Sequence, residues 1–429
     1  MRAPVGRTPF GRALRNSGWL LTGKGVGAAL SLVYLALAAR ALPIAEFGRF
    51  MLVLSIAQAV AALVAFQTWQ IVIRFGVQHH ERGDAPALGR LVRYSAALDI
   101  GAGAVGCLIA AGAVTAMRAR LGWSAEVARE ALLFAFVLLL SVRSTPVGVL
   151  RLHDRYALGA AADAVTPIAR FVGAIAVVAA GASVRDFLIA WAAAEVLTAA
   201  VYWASAHRVA PGLLGRWSGA GAARLENPGF WRFAFVTNVN SSVNAAGKQF
   251  VVVLIGFVAG AVPAGGYRLA FQLSQALVRL SELFARGVFP ELARADAAET
   301  RDPLRLLFRQ STRLALGAGV TICILAPLLG GPVLQVVGGD RYLGVYSILV
   351  LLSLAAGLEV MAAGFEPLLL STGGAGAALR ARLIGVAILF AAIALLMPRY
   401  GLFGAAVATV VAAAASLALF ARAGYRAVR

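Results

Sequence analysis

Several groups of residues in this sequence have types and spacings that could do chemistry, and all of them fall inside long apolar runs. Arg268, Gln272, Gln275, Arg279 and Glu282 recur at intervals of 4, 3, 4 and 3, which on an α-helix makes one continuous polar stripe. Asn240, Asn244 and Lys248 recur at every fourth residue, with Thr237 just before them, and so share a face of a second helix. Asp163, Thr166 and Arg170 stand at i, i+3 and i+7 around Pro167 on a third. Lys24 lies in the first apolar run, and Lys24 and Lys248 are the only two lysines in the chain.

Ionisable groups at membrane depth are costly unless they face water or a partner, so each is a functional candidate. A salt bridge between Arg279 and Glu282 accounts for two members of the first stripe. It leaves Arg268 and the two glutamines, whereas a water-filled pathway accounts for all five. The interior expected from these stripes is polar and net basic, mostly in the second half of the chain. A basic lumen predicts an anionic substrate, above all a phosphate or diphosphate group. Glu282 and Asp163 each share a helical face with an arginine, Arg279 and Arg170, which makes them the candidates for ion coupling. Asp163 and Arg170 also read as a buried structural ion pair. Gln67, Gln70 and Arg74 form a short polar stripe at the end of another run, and Asp99, Glu195, Glu359 and Glu366 are isolated acids that periodicity does not place on a face.

The elements that must position these residues are transmembrane helices. The chain is 61% hydrophobic and 14% charged, with a mean hydropathy of +0.82. A soluble domain cannot hide that much apolar surface, but a polytopic membrane protein exposes it to lipid. Twelve apolar runs are long enough to span, at roughly 18–39, 48–73, 94–117, 130–150, 157–180, 185–206, 230–258, 268–288, 312–337, 343–370, 376–397 and 401–421. Their continuity predicts helices and excludes a barrel of alternating ten-residue strands. The first run lacks a small-residue cleavage site, so it reads as a span and not a removed signal.

Internal repetition organises the runs. Ala39–Ser55, ARALPIAEFGRFMLVLS, returns about 220 residues later as AGAVPAGGYRLAFQLS at 259–274, with Arg49 aligned to Arg268. This predicts an all-α polytopic protein of two pseudo-symmetric six-helix lobes, 1–208 and 229–429, joined by a cytoplasmic linker at 209–228, with a transport site between the repeats. Of the 39 basic residues, 26 fall on the side that holds both termini and the linker, and 9 on the other. The positive-inside rule therefore places both termini in the cytoplasm.

Other readings of the composition fall away. A net charge of +20 would suggest nucleic acid in a soluble protein, but here it marks cytoplasmic loops and anionic lipid, and no nucleic-acid partner is expected. Cys107 and Cys323 sit singly in apolar runs, and the four histidines lack metal-ligand spacing, so neither metal nor cofactor is expected. Ser371–Arg382 is glycine-rich but lacks the Gly-Lys-Ser/Thr ending of a phosphate loop.

The segment ARALPIAEFGRF, the run from Phe66-Gln67 to Ile73-Arg74-Phe75-Gly76, the turn Gly266-Tyr267-Arg268 and the string Phe289-Pro290-Glu291-Leu292-Ala293-Arg294 resemble the oligosaccharide-unit flippases (Wzx-type) of the MOP exporter superfamily. The resemblance implies a MATE-like fold with a central cationic cavity of alternating access. It also implies a bacterial inner-membrane location and transfer of an undecaprenyl-diphosphate-linked oligosaccharide to the outer leaflet, for O-antigen, capsule or exopolysaccharide. Membrane lipids and polysaccharide polymerase or chain-length proteins are the implied partners. In the related lipid II flippases basic residues of helices 1, 2 and 8 serve the diphosphate, and Lys24, Arg49 and Arg268 occupy comparable places. The chain lacks the two extra carboxyl-terminal helices of those flippases, which argues against the lipid II role, and its lone Lys24 leaves the first helix less basic. Competing readings are a MATE-type multidrug or cation antiporter, which would want an acidic lumen, and a membrane enzyme or assembly subunit of polysaccharide synthesis. The outer loops are too short for a catalytic site, so no enzyme is expected.

Overall fold

The computed structural model describes residues 27–215, 219–276, 278, 303–363, 365, 369 and 375–428; side chains at 214, 240, 244–248, 303–311, 314, 363, 375, 425 and 427–428 fall outside the description. Lys24, Arg279 and Glu282 therefore lie outside the described residues. Asn240, Asn244 and Lys248 are placed by their helical backbone only.

Every regular element among the described residues is helical. In order these are α1 (Gly27–Ala41), α2 (Ile44–Val64), α3 (Thr68–Glu81), α4 (Ala85–Leu121), α5 (Ala125–Leu140), α6 (Ser144–Leu152), α7 (Tyr156–Ala179), α8 (Val184–Val209), the short α9 (Ala223–Glu226) and α10 (Phe230–Ala259). Helix α11 follows at 261–276, then α12 (Pro303–Gly338), α13 (Tyr346–Ala363) and α14 (Ala375–Val428). Eight stretches among the described residues are long and apolar enough to cross a membrane. The protein is an all-α, multi-span membrane protein. Leu108 on α4, Val172 on α7 and Val196 on α8 are exposed, as lipid-facing side chains are.

The ends of the long helices are set by ordinary capping. The Asp84 carboxylate accepts from the Ala87 amide at the start of α4, and Gly122 closes that helix in the left-handed region. Ser124 and Ser183 cap α5 and α8 in the same way.

Two membrane spans are broken partway. The span from Ile44 to Glu81 stops being helical at 65–67, between α2 and α3, and the span from Ala125 to Leu152 stops at 141–143, between α5 and α6. At the second break Pro146 has no amide hydrogen to return to the Val142 carbonyl, and Trp203 Nε1 donates there instead, at 2.8 Å. At the first break the Ala65 carbonyl accepts from Asn238 of α10, at 3.3 Å. The runs expected at 376–397 and 401–421 are two helices, taken together as α14, that meet at a kink where the backbone of Gly401 is not helical (φ 56°).

Contacts divide the chain into two compact units, residues 1–42 with 53–249, and residues 43–52 with 250–429. The polar connection expected to link two lobes at 209–228 is pinned to the first unit at several points. Arg93 donates to the Leu213 carbonyl at 3.0 Å, Arg90 pairs with Glu226 at 2.7 Å, and His79 bonds Asn227 at 3.1 Å. In the second unit the first turns of α2 lie backbone to backbone with the start of α11. A Cβ added to Gly265 would sit 2.5 Å from Gly48 Cα, and one added to Gly48 would meet the Ala261 carbonyl. The two copies of the repeated segment thus touch each other through glycine.

Candidate functional site

Helices α7 and α8 are antiparallel neighbours joined by a tight turn at 180–183, and their polar residues meet rung by rung. Arg170 Nη2 donates to Glu195 Oε1 at 2.6 Å, the Thr166 and Thr198 hydroxyls lie 2.7 Å apart, and the Tyr202 hydroxyl donates to Asp163 Oδ1 at 2.5 Å. Spacings of 3 and 4 on α8 match spacings of 4 and 3 on α7, which is what antiparallel helices require. The expected pair of Asp163 with Arg170 is therefore corrected. Two turns of one helix separate these residues along the axis, and each finds its partner across the interface. Glu195 also takes Arg143 Nη2 on its second oxygen, at 3.2 Å. Burial is uneven within this triad: the Glu195 side chain is 4% exposed, Arg170 12% and Arg143 44%.

A second polar centre forms where the broken spans meet. Helices α3 and α6 begin side by side, with the Trp69 amide 3.2 Å from Ser144 Oγ. Asp99, near the middle of α4 and 7% exposed, points one carboxylate oxygen at both helix starts. Asp99 Oδ2 accepts from the Thr68 hydroxyl at 2.7 Å, the Thr145 hydroxyl at 2.7 Å and the Thr145 amide at 3.2 Å. Its acceptor oxygen answers donors of the first turns of both helices, including an amide that the helix leaves without an intrahelical partner.

Both centres open on one cavity of about 730 Å³, contained in the first unit. Its polar wall consists of Gln58, Gln67, Asp99, Ser141, Arg143, Ser144, Asp163, Thr166, Arg170, Glu195 and Gln249, and Phe66 and Trp69 are among its apolar members. Three carboxyl groups thus face two guanidiniums, so this cavity is not net basic. The sequence placed Asp163, Thr166 and Arg170 on a common face, and the structure brings them to the cavity. It left Asp99 and Glu195 without a face. The reversed spacing Glu195, Thr198, Tyr202 was the signal for the second.

Arg49, Arg268, Gln272 and Gln275 lie in the second unit, whereas Asn240, Asn244 and Lys248 lie on the part of α10 that belongs to the first. Arg268 is buried on α11, its guanidinium 5.9 Å from the Phe271 ring centroid, and the next residue back, Tyr267, bonds Thr409 through its hydroxyl at 2.9 Å. Gln272, Gln275 and Arg49 are half-buried.

Comparison with known proteins agrees with this architecture. Residues 13–296 match the family model described as polysaccharide biosynthesis protein. The inner membrane protein YghQ of Escherichia coli (strain K12) is 29% identical over 347 residues, covering 79% of this chain and 96% of that protein. An inward-facing multidrug resistance MATE family transporter of the MOP superfamily matches with a TM-score of 0.66 at 14% identity, over 94% of each chain. The lipid II flippase MurJ in an inward closed conformation matches with a TM-score of 0.66 at 11% identity, over 95% of this chain and 90% of that one. The fold is MATE-like.

Proposed function

The chain belongs to the polysaccharide biosynthesis protein family, and from that premise we propose that it is a flippase for lipid-linked oligosaccharide units. The substrate is an undecaprenyl-diphosphate-linked oligosaccharide, carried by alternating access across the bacterial inner membrane for O-antigen, capsule or exopolysaccharide. Membership of that family in a multi-span chain with a polar cavity between its helices is the observation that carries the reading. A pore for ions needs no such volume. Within the proposal Arg49, Lys248, Arg268 and the polar residues beside them serve the diphosphate. Arg and Lys donors are the usual partners of phosphate oxygens. Asp163 and Glu282 are the proposed groups for ion coupling.

The test is export. In cells that make the polysaccharide, Lys248→Ala and Arg268→Ala are each expected to lower surface polysaccharide at least about tenfold, the scale of one lost charge-assisted contact. Lipid-linked oligosaccharide should accumulate on the inner leaflet, and Lys248→Arg should restore part of the export. Normal export in both alanine variants at matched protein levels sinks the assignment of these residues.

One observation favours a second reading. The excess of carboxyl groups in the first-unit cavity suits a cation exporter of the MATE type. That reading requires deletion of the protein to sensitise a pump-deficient strain to cationic drugs while leaving polysaccharide unchanged.

A further inference from the structure

The first-unit cavity fits the diphosphate poorly. Its two guanidiniums are already bound to an internal anion, Arg170 and Arg143 to the two oxygens of Glu195, and two further carboxyl groups, Asp99 and Asp163, line the same wall. A dianion placed there would find both cations already paired with Glu195 and carboxyl groups beside them. The cavity instead presents groups that donate and accept side by side: the amides of Gln58, Gln67 and Gln249 and the Asp163 carboxylate. A sugar hydroxyl both donates and accepts, and neighbouring hydroxyls on a ring suit planar, two-pronged partners of this kind. Sugar rings also have an apolar C–H face, and such faces pack on aromatic rings. Trp69 lines the cavity with its indole held in place: Nε1 donates to Gln67 Oε1 at 2.8 Å, and the Arg151 guanidinium lies 4.3 Å from the ring centroid. The volume of about 730 Å³ falls within the range of about 300–1,000 Å³ of small-molecule sites.

We propose that this cavity is a carbohydrate subsite, taking sugar rings of the transported glycan and not its diphosphate. The inference rests on the flippase reading above and adds a division of labour to it. The glycan is read by Trp69 and the glutamines of the first-unit cavity, apart from the basic residues proposed above for the anionic linkage.

Photocrosslinking in living cells tests the assignment. p-Benzoylphenylalanine is introduced in place of Gln58, with Leu138, which lines the same cavity, as the second position should the first variant not accumulate. A third variant carries it in place of Gln272. Cells making the polysaccharide are fed a tritiated sugar and irradiated, and the purified chain is counted before and after mild acid, which cleaves the bond between sugar and diphosphate. A crosslink to the glycan keeps its tritium through acid, and a crosslink to the lipid or phosphate side loses it. The expected result is acid-stable label at 58 or 138 and label at 272 that falls at least about tenfold on acid treatment. Acid-labile label in the first-unit cavity, or none there while 272 is labelled, overturns the subsite and leaves the flippase reading standing. Absence of label at every position, in cells shown to hold labelled lipid-linked oligosaccharide, overturns both.

Discussion

Glu195 holds two guanidiniums of unequal standing. Its pair with Arg170 is almost wholly inside the protein, and the pair with Arg143 is half open to the cavity. A buried pair broken from one side leaves its other charge short of a buried partner, at a cost of about 3–5 kcal/mol, whereas an open pair is worth about 0–1 kcal/mol. Arg170→Ala is therefore expected to destabilise the protein by about 3–5 kcal/mol, and Arg143→Ala by less than about 1 kcal/mol, as read by unfolding in detergent. The double change Arg170→Met with Glu195→Gln should recover most of the loss, because it removes both buried charges. Equal effects of the two alanine variants would refute this ranking. At this scale the sequence was half legible. Asp163, Thr166 and Arg170 announce a polar face by spacing alone. Their partners, Glu195, Thr198 and Tyr202, have the same spacing reversed, but pairing them requires knowing that α7 and α8 lie antiparallel in register, which a periodicity within one helix does not contain.

The repeated segment and the broken spans are element-scale features. Gly48 and Gly265 let α2 and α11 approach to backbone contact, so a side chain at either position must push two helices apart. Gly48→Val is expected to cost about 1–3 kcal/mol or somewhat more from overpacking. Gly112→Ala, on an open face of α4 with nothing within 4 Å, is expected to be neutral or stabilising by about 0.5–1 kcal/mol. Thermal unfolding of the two variants beside the parent decides it, and a Gly48→Val variant as stable as the parent would show that the contact is not tight. The apolar runs were readable because hydropathy reports how much of a segment lipid will accept. The breaks at 65–67 and 141–143 were not, because hydropathy is blind to a missing backbone hydrogen bond. Pro146 was the one visible sign of the second break. The first rests on donors from α10, Asn238 and Ser242, that lie some 180 residues away in the chain.

For the whole molecule the charge distribution makes a definite statement. With 26 of the 39 basic residues expected on one side from the placement of the apolar runs, reporters fused after Arg82 and Ala220 are expected in the cytoplasm and one fused after Arg120 outside. An external reporter at Ala220 would invert the arrangement of spans. The MATE-like architecture was legible from run count, repeat and motif together. The compact units were not, since their boundary falls inside α2 and α10, where composition does not change. Asp99 has a consequence for how such a chain is made. Thr145, which supplies two of its three hydrogen bonds, follows it by 46 residues. At about 5–20 residues per second the ribosome needs roughly 2–9 s to bridge that gap. During that interval α4 enters the bilayer with a carboxyl group that only Thr68 can answer. Asp99 therefore gains two of its three hydrogen bonds from a segment synthesised after it. A nascent chain stalled before Thr145 would expose its acid to the machinery that extracts faulty membrane proteins.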